Sequence, residues 1–427
     1  MTSGALRRPL RSLRGAMPLV TALALLAGTA CRLEPEPPPA PADPIRSGHA
    51  PAANLQSERV ARFDSTVDYF PQKARFRHAT KLTVEYHGHF KIADIVLAGM
   101  GGQRQQVLMV QRGTPRPAGY PDAVLVWVPV RRWSAQNYHY GGISDLLGVS
   151  DRLVSLGGSI AHATSPNLVR LIEEGRIRRH RSVEQAAALE PDVFLSYAPY
   201  MAIMRGYEQY RALGITNLLP VERLEETPLG RAEWIKFFAM LFNKEAEAEA
   251  HFARVESEYG ALAARARNVS ARPRVLVDIP VGDGWWTPGG RNASARMIAD
   301  AGGDFVLDDN DSVSNQFVHH MEVAYDRGLD ADVWLLTDAH AGRRDLLDVI
   351  ATNPYTRQLP MLRRGAVHIK HGGSPGGPNP YWDMGLLYPQ WDLADHIRIL
   401  HPELLPDHEL VFHQSLASWV ARSQETP

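Results

Sequence analysis

Seven short apolar runs, separated by segments with helical spacing, constrain the fold of this chain more than any other feature. The runs cover residues 123–130, 153–156, 193–196, 275–279, 305–307, 333–336 and 366–369. Strands this apolar need helices on both faces, so the alternation predicts doubly wound parallel sheets of the α/β class. The interval between residues 196 and 275 is too long for one crossover. We therefore expect two Rossmann-like lobes, one on each side of that interval.

The long interval carries its own helical pattern. Thr227 can cap a helix with Pro228 at its first position, and Asn243 interrupts that helical region as a left-handed residue. A second helix is predicted over residues 244–267, about 36 Å long, with one apolar face. That face comprises Phe252, Val255, Tyr259, Leu262 and Ala266. Two sheets favour a rigid helix that bridges both lobes; the alternative is an ordinary surface helix within one domain.

Residues 80–113 precede this pattern and alternate with period two, as in Leu82, Val84 and Tyr86. Such alternation predicts antiparallel strands with one buried face. We interpret them as a β appendage to the first lobe, and the sequence assigns them no role.

The amino-terminal segment is typical of a bacterial export signal. Four arginines within residues 7–14 precede an apolar run of about 11 residues, which is too short to span a bilayer. Small residues lead to Cys31, as at the cleavage site of lipoproteins, although Gly28 stands where leucine is usual. We expect Cys31 to carry a lipid anchor; secretion with a free cysteine is the alternative. The proline-rich residues 34–44 then form an extended tether.

Composition excludes several classes of function. The chain holds 46 basic and 47 acidic residues, and without residues 1–30 it has 42 and 47, so no basic surface for nucleic acid is expected. A single cysteine excludes disulfide scaffolds, thiolate zinc sites and iron–sulfur clusters.

Large aromatic and basic residues follow several predicted strands. In open α/β sheets the ligand crevice lies beyond the carboxyl ends of the strands. Aromatic rings there suit flat or bulky ligands, and basic groups suit carboxylates or phosphate; taken singly, each ring is more commonly a packing residue. The predicted ligand-binding residues are Arg131, Arg132, Trp133, Tyr197, Tyr200, Trp285, Trp286, Lys370, His371, Asn379, Tyr381 and Trp382.

The segment 285–303 predicts a turn followed by a helix. Pro288, Gly289 and Gly290 favour a tight turn, Asn292 can cap a helix over residues 293–301, and Gly302 can end it. If the start of this helix faces the cleft, it can bind an anion. The alternative is that the segment is an ordinary strand–loop–helix connection without a ligand.

Four segments together resemble the helical-backbone, or class III, substrate-binding proteins of ABC importers, which include ferric-siderophore and cobalamin receptors. These segments are residues 225–250, 285–303, 331–336 and 381–413, and the resemblance extends over roughly residues 120–415. It implies two Rossmann-like lobes joined by a rigid helix, a chelated metal complex held between them, and little hinge motion. The implied partners are an ABC permease and its ATPase.

In that family an acidic residue on each lobe docks on arginines of the permease. By local pattern, Glu184 and Glu322 are the corresponding residues here. Exposed carboxylates, one per lobe, can orient a receptor over a two-fold permease, but an ordinary solvated helix face has the same appearance.

Two rival functions fit single features of the sequence. Residues 372–376 match the GxSxG pattern of serine hydrolases, but Pro375, Pro378 and Pro380 forbid the helix that this motif needs. Sugar transferases can also have two Rossmann-like lobes, but the export segment argues against such an enzyme. A receptor for free zinc or manganese would use histidines, yet no HxxxH or HExxH spacing occurs and aromatic rings suit a bare ion poorly. The histidines considered are His139, His319, His320, His368 and His371.

These observations predict a non-enzymatic, monomeric periplasmic receptor for a metal chelate, without a resident cofactor or metal. The expected organisation is a signal peptide at 1–30, the anchor cysteine and tether at 31–60, an N-terminal lobe with the β appendage at 61–226, a helical region at 227–270, and a C-terminal lobe with terminal helices at 271–427.

Overall fold

The computed structural model describes residues 50–56, 59–97, 102–158, 163–196, 209–314, 317–337, 343–373 and 377–425. The export segment, Cys31 and the proline-rich tether lie outside these ranges. Within them, no helix is long and apolar enough to cross a membrane.

A four-stranded sheet precedes the first lobe. It has the order β1–β2–β3–β4, antiparallel except for the parallel pair β3 and β4. The strands are Leu82–His87, Phe90–Val96, Arg104–Gln111 and Val124–Val128. The predicted antiparallel strands are present in residues 82–111, but residues 123–130 were wrongly predicted to be the first strand of the lobe sheet. They are apolar because one face of this sheet packs on the lobe core and the other lies under Phe90 and Tyr120.

The N-terminal lobe is a parallel sheet of order β7–β6–β5–β8–β9. Its first strand is short and contains Ser134, and sequence reasoning missed it. The strands are β5 Trp133–Ala135, β6 Leu153–Leu156, β7 Arg178–Arg179, β8 Val193–Leu195 and β9 Asn217–Leu218. The described helices of this lobe are α1 Tyr140–Leu146, α2 Pro166–Glu173 and α3 Val183–Ala187.

The C-terminal lobe has a separate sheet of order β13–β10–β15–β16–β17, parallel except for β17, and a small antiparallel sheet β11–β12–β14. The strands are β10 Arg274–Val277, β11 Ile279–Val281, β12 Gly284–Thr287, β13 Asp304–Phe305, β14 Phe317–His320, β15 Val333–Thr337, β16 Val367–Lys370 and β17 Gln414–Ser415. Two separate parallel sheets confirm the predicted fold class.

Three helices lie between the lobes: α4 Pro228–Glu233, α5 Ile235–Met240 and α6 Glu245–Ala266. The Thr227 hydroxyl caps α4, and Asn243 has a φ of 58° before α6 begins, both as predicted. Helix α6 has 22 residues, which corresponds to about 33 Å. Phe252 and Val255 belong to the core of the N-terminal lobe, whereas Tyr259 and Ala266 belong to the other core. A single helix therefore braces both lobes.

The remaining helices cover the C-terminal lobe. They are α7 Ala293–Asp300, α8 Met321–Leu329, α9 Arg343–Thr352, α10 Pro360–Arg364, α11 Pro380–Met384, α12 Pro389–Leu400 and α13 Leu416–Glu425.

Buried charges attach the β appendage to the helical region. The fully buried Lys91 of β2 donates to Glu245 Oε1 at 2.6 Å, Asn243 Oδ1 at 2.9 Å and the Met240 carbonyl at 2.7 Å. Glu233 of α4 accepts backbone N–H groups from residues 77–79. Removing one partner of a buried ion pair typically costs about 3–5 kcal/mol, so the appendage is fixed to the start of the brace.

Candidate functional site

A pocket open to solvent lies between the two lobes. One wall is formed by Arg223, which follows the last strand of the N-terminal lobe, together with α4. The other wall is formed by the start of α7 and by α11 and α12 of the C-terminal lobe. The lining residues are Arg223, Pro228, Arg231, Ala293, Ser294, Met297, Tyr381, Trp382, Gly385, Leu386, Pro389 and Asp392.

Helix α11 brings two aromatic rings to the pocket. The Asn379 side chain caps this helix by accepting the Tyr381 N–H at 3.1 Å, and Pro380 occupies its first position. Asn379 Nδ2 also donates to the Lys370 carbonyl at 2.9 Å, which ties the helix start to the end of β16. Tyr381 and Trp382 therefore stand on a turn with little freedom to move.

An ion pair lies behind the aromatic wall. Lys370 Nζ donates to Asp392 Oδ2 at 3.0 Å and lies 4.5 Å from the centroid of the Tyr381 ring. Burial alone would raise the pKa of Asp392, but Lys370 and His396 more than offset it and hold that pKa well below its usual range. Asp392 is thus a carboxylate in the pocket wall.

The lobes touch through Asp383, on the same turn as the aromatic residues. Its Oδ2 accepts the Thr164 N–H at 2.6 Å and the Thr164 hydroxyl at 3.0 Å. Gly142 of α1 fits closely here, because a Cβ at that position would lie 2.2 Å from the Asp383 carbonyl oxygen. Burial raises the pKa of Asp383 to about 6. The position of α11 is therefore coupled to the N-terminal lobe.

The opposite wall is basic. Arg223 and Arg231 surround the buried Glu222, whose Oε1 accepts the Tyr140 hydroxyl at 3.4 Å. Burial raises the pKa of Glu222, and the two arginines partly offset this. His139 Nε2 lies 3.9 Å from Glu222 Oε1. Burial lowers the pKa of His139, so this histidine is neutral at pH 7. The positive charge of this wall resides on the arginines.

The start of α7 completes the pocket. Asn292 caps the helix through the Ser294 N–H at 2.8 Å, as predicted, and Gly302 follows its end with a φ of 79°. Gly290 allows the turn to approach its neighbours, because a Cβ there would lie 2.1 Å from the Asp308 carbonyl oxygen. The amino-terminal end of α7 thus faces the pocket, where its dipole favours an anion.

A model of the family described as "Periplasmic binding protein" matches residues 135–369, which is more than half of the chain. This chain belongs to the periplasmic binding protein family.

The chain is also similar to individual proteins. An uncharacterized lipoprotein of Methanocaldococcus jannaschii is 30% identical over 196 residues, which are 45% of this chain and 44% of that protein, so the match spans less than half of the relative. A second uncharacterized lipoprotein of that organism is 24% identical over 354 residues, covering 78% of this chain and 85% of the relative. A periplasmic binding protein from Veillonella parvula shares the fold, with a TM-score of 0.52 at 12% identity over 75% of this chain and 98% of its own.

Of the predicted ligand-binding residues in this periplasmic binding protein, Tyr381 and Trp382 line the pocket. Lys370, His371 and Asn379 are buried behind them, and the structure brings all five together at the end of β16.

Two predicted tryptophans lie in the cores instead. Trp133 is inside β5, and Trp285 is fully buried in β12, where its indole N–H donates to the Val277 carbonyl at 2.9 Å. Trp286 is partly buried on the same strand, opposite Val318. The sequence suggested a loop after residue 279, whereas the chain forms a hairpin that folds back onto the lobe. The prediction that Trp133 and Trp285 contact the ligand is therefore wrong.

The predicted pair Arg131 and Arg132 is also misplaced. Both backbone N–H groups bond to the Asp192 carboxylate, and both residues precede β5. They therefore lie at the amino edge of the parallel sheet, away from the carboxyl edge where ligands bind. The error follows from taking residues 123–130 as a strand of this sheet. Tyr197 and Tyr200 lie outside the described residues.

The predicted docking residues are both exposed. Glu184 is in the first turn of α3 on the N-terminal lobe, and Glu322 is in the first turn of α8 on the other.

Sequence reasoning missed the three charged pocket residues, Arg223, Arg231 and Asp392, and the residue of the lobe contact, Asp383. Each lies in or beside a helix rather than directly after a strand, so a rule based on strand ends could not find them. The histidines of the free-metal alternative do not converge within the described part of the chain; the histidines that do converge there are His396 and His413, with Asp392.

Proposed function

We propose that this protein is the substrate-binding component of an ABC import system. It captures a chelated metal complex, of the ferric-siderophore or cobalamin type, between its lobes and delivers it to a membrane permease. The observation that carries the proposal is the pocket between the lobes, with two arginines on one wall and two aromatic rings on the other.

The pocket chemistry supports an anionic ligand with a large apolar or flat body. The guanidinium groups of Arg223 and Arg231 pair with carboxylate or phosphate oxygens. The rings of Tyr381 and Trp382 offer contact area at low entropic cost. Membership of the periplasmic binding protein family and the brace through both cores support a receptor that holds its ligand with little hinge motion.

Titration of the purified protein tests the ligand class. A ferric hydroxamate siderophore, hemin and cyanocobalamin would each be added while tryptophan fluorescence is recorded, with the iron-free siderophore as the matched control. We expect one of the three complexes to bind with a dissociation constant of micromolar or below. Absence of binding by all three, together with no co-purified chelate in a native mass spectrum, would contradict the proposal.

We further propose that Glu184 and Glu322 dock the receptor on the permease. Replacing both with arginine should abolish uptake of the ligand by whole cells and leave its dissociation constant unchanged. The control replaces two other exposed glutamates, Glu173 and Glu403, also one per lobe. Normal uptake by the Glu184→Arg, Glu322→Arg double variant would refute this role.

Anchoring by Cys31 is proposed from the lipobox-like sequence and is consistent with the two relatives, both named lipoproteins. Mass spectrometry of the membrane fraction should find the mature amino terminus at Cys31 with attached acyl chains. A soluble protein with an unmodified Cys31 would contradict the anchor.

A further inference from the structure

Two histidines and an aspartate converge inside the C-terminal lobe, behind the pocket. Asp392 and His396 lie four residues apart on α12 and share one face, and His413 approaches from the segment before β17. One potential ligand atom from each side chain lies within 4.8 Å of the other two. All three residues are at most 3% exposed.

Two atoms of this cluster are buried without a hydrogen bond. Asp392 Oδ1 has no hydrogen bond of good geometry among the described residues, although it lies 3.2 Å from His396 Nδ1 and 3.6 Å from His413 Nδ1. His413 Nε2 is likewise buried without a partner among the described residues. Leaving such a group unsatisfied costs about 1–3 kcal/mol, so a further partner at this position would stabilise the lobe.

Neighbouring groups fix the orientation of the two histidine rings, as they do for metal-binding histidines. His413 Nδ1 lies 3.3 Å from Asp395 Oδ2, and His396 Nδ1 lies 2.7 Å from the Asp392 carbonyl. Donation from Nδ1 leaves the lone pair of a neutral imidazole on Nε2. Asp395 is itself fixed by the backbone N–H groups of residues 411–413. A carboxylate behind a histidine is the usual outer partner of a metal-binding imidazole.

We propose that Asp392, His396 and His413 bind a resident divalent transition-metal ion of the zinc type. Two imidazoles and one carboxylate form a donor set that suits zinc. Zinc binding requires the two rings to turn their Nε2 atoms toward Asp392 Oδ1. Lys370 bonds to Asp392 Oδ2, whereas Oδ1 has only the two histidine Nδ1 atoms near it. Asp392 also lines the pocket, so the proposed metal site adjoins the ligand pocket. The ion stabilises the lobe behind the ligand pocket, and the proposal stands independently of the transported ligand.

Metal analysis of the purified protein tests this site. After treatment with chelator, incubation with zinc chloride and desalting, the wild type should retain one zinc ion per chain, measured by inductively coupled plasma mass spectrometry. His396→Ala and His413→Ala should lose it, with a dissociation constant raised about a hundredfold or more. The matched control is His251→Ala, another buried histidine, which bonds to the Leu387 carbonyl and should retain the zinc.

The proposal would be overturned by a wild type that retains no zinc, manganese, cobalt or nickel, or by histidine variants that retain as much metal as the wild type. It would also be overturned if histidine NMR spectra showed a proton shared between the His396 and His413 rings in place of a metal. If an alanine variant fails to fold, anomalous diffraction from zinc-soaked wild-type crystals decides the question. A peak bonded to Asp392, His396 and His413 supports the site, and a peak elsewhere, or none, refutes it.

Discussion

Trp285 and Trp382 belong to the same lobe and both follow apolar strands, yet Trp285 lies in the core and Trp382 lies at the pocket. Trp285 is fully buried, packs near Trp334 with ring centroids 5.9 Å apart, and donates its N–H to a backbone carbonyl. Trp382 is only partly buried and lines the pocket on α11. The difference arises after the strand: a hairpin returns Trp285 to the core, whereas a proline-initiated helix holds Trp382 at the lobe boundary.

The largest effect that separates the two regions is expected from Trp285→Ala. Removing a fully buried indole leaves a cavity and removes its hydrogen bond to the Val277 carbonyl, which should lower the free energy of unfolding by about 3–5 kcal/mol. Urea denaturation measures this change. A loss below about 1 kcal/mol would show that Trp285 is not a core residue.

The lobe contact beside Trp382 should depend on pH. Because burial raises the pKa of Asp383 from 3.8 to about 6, the packed state favours the protonated carboxyl group. Its contribution to stability is complete below pH 4 and is lost as pH rises through 6, by at most about 3 kcal/mol.

Asp383→Asn, which mimics the protonated form, is expected to flatten the stability profile between pH 4 and 6. The same profile for the wild type and the variant would rule out Asp383 as its source. The control is Asp145→Asn. Asp145 is the other carboxylate that acts on Asp383, but its effect on this pKa is smaller than that of burial, so the pH dependence of stability should largely remain.

A smaller effect, on binding rather than stability, is expected from Trp382→Ala. Loss of the ring should weaken binding of the chelate by about 1–3 kcal/mol, or roughly 5- to 150-fold, with little change in unfolding. Trp391→Ala is the matched control, since Trp391 is also partly buried and stacks on Tyr388 outside the pocket lining. Equal affinities of the two variants would remove Trp382 from the site.

The sequence determined the brace and the two lobes well because each depends on local periodicity. The face of α6 from Phe252 to Ala266 follows directly from spacing, and Thr227, Asn243 and Asn292 act at helix ends through their own side chains. The site was less accessible. Trp133 and Arg131 were misplaced because β5 is only three residues long and interrupted by serine, so the adjacent, more apolar strand was taken for it.

Other site residues depend on tertiary contacts that no local pattern contains. Asp383 meets Thr164 across more than two hundred positions of sequence. Asp392 becomes a pocket residue only because α12 packs against α6 and α7. Arg231 lies on a helix whose pattern indicates packing. These residues could be identified only once both lobes were in place.

A crystal structure with the tightest-binding chelate tests the central claim most directly. The account predicts that the chelate lies between the lobes, with its rings or ligand arms against Tyr381 and Trp382 and its anionic groups toward Arg231. A chelate bound on the outer face of either lobe, with this pocket filled only by solvent, would contradict it.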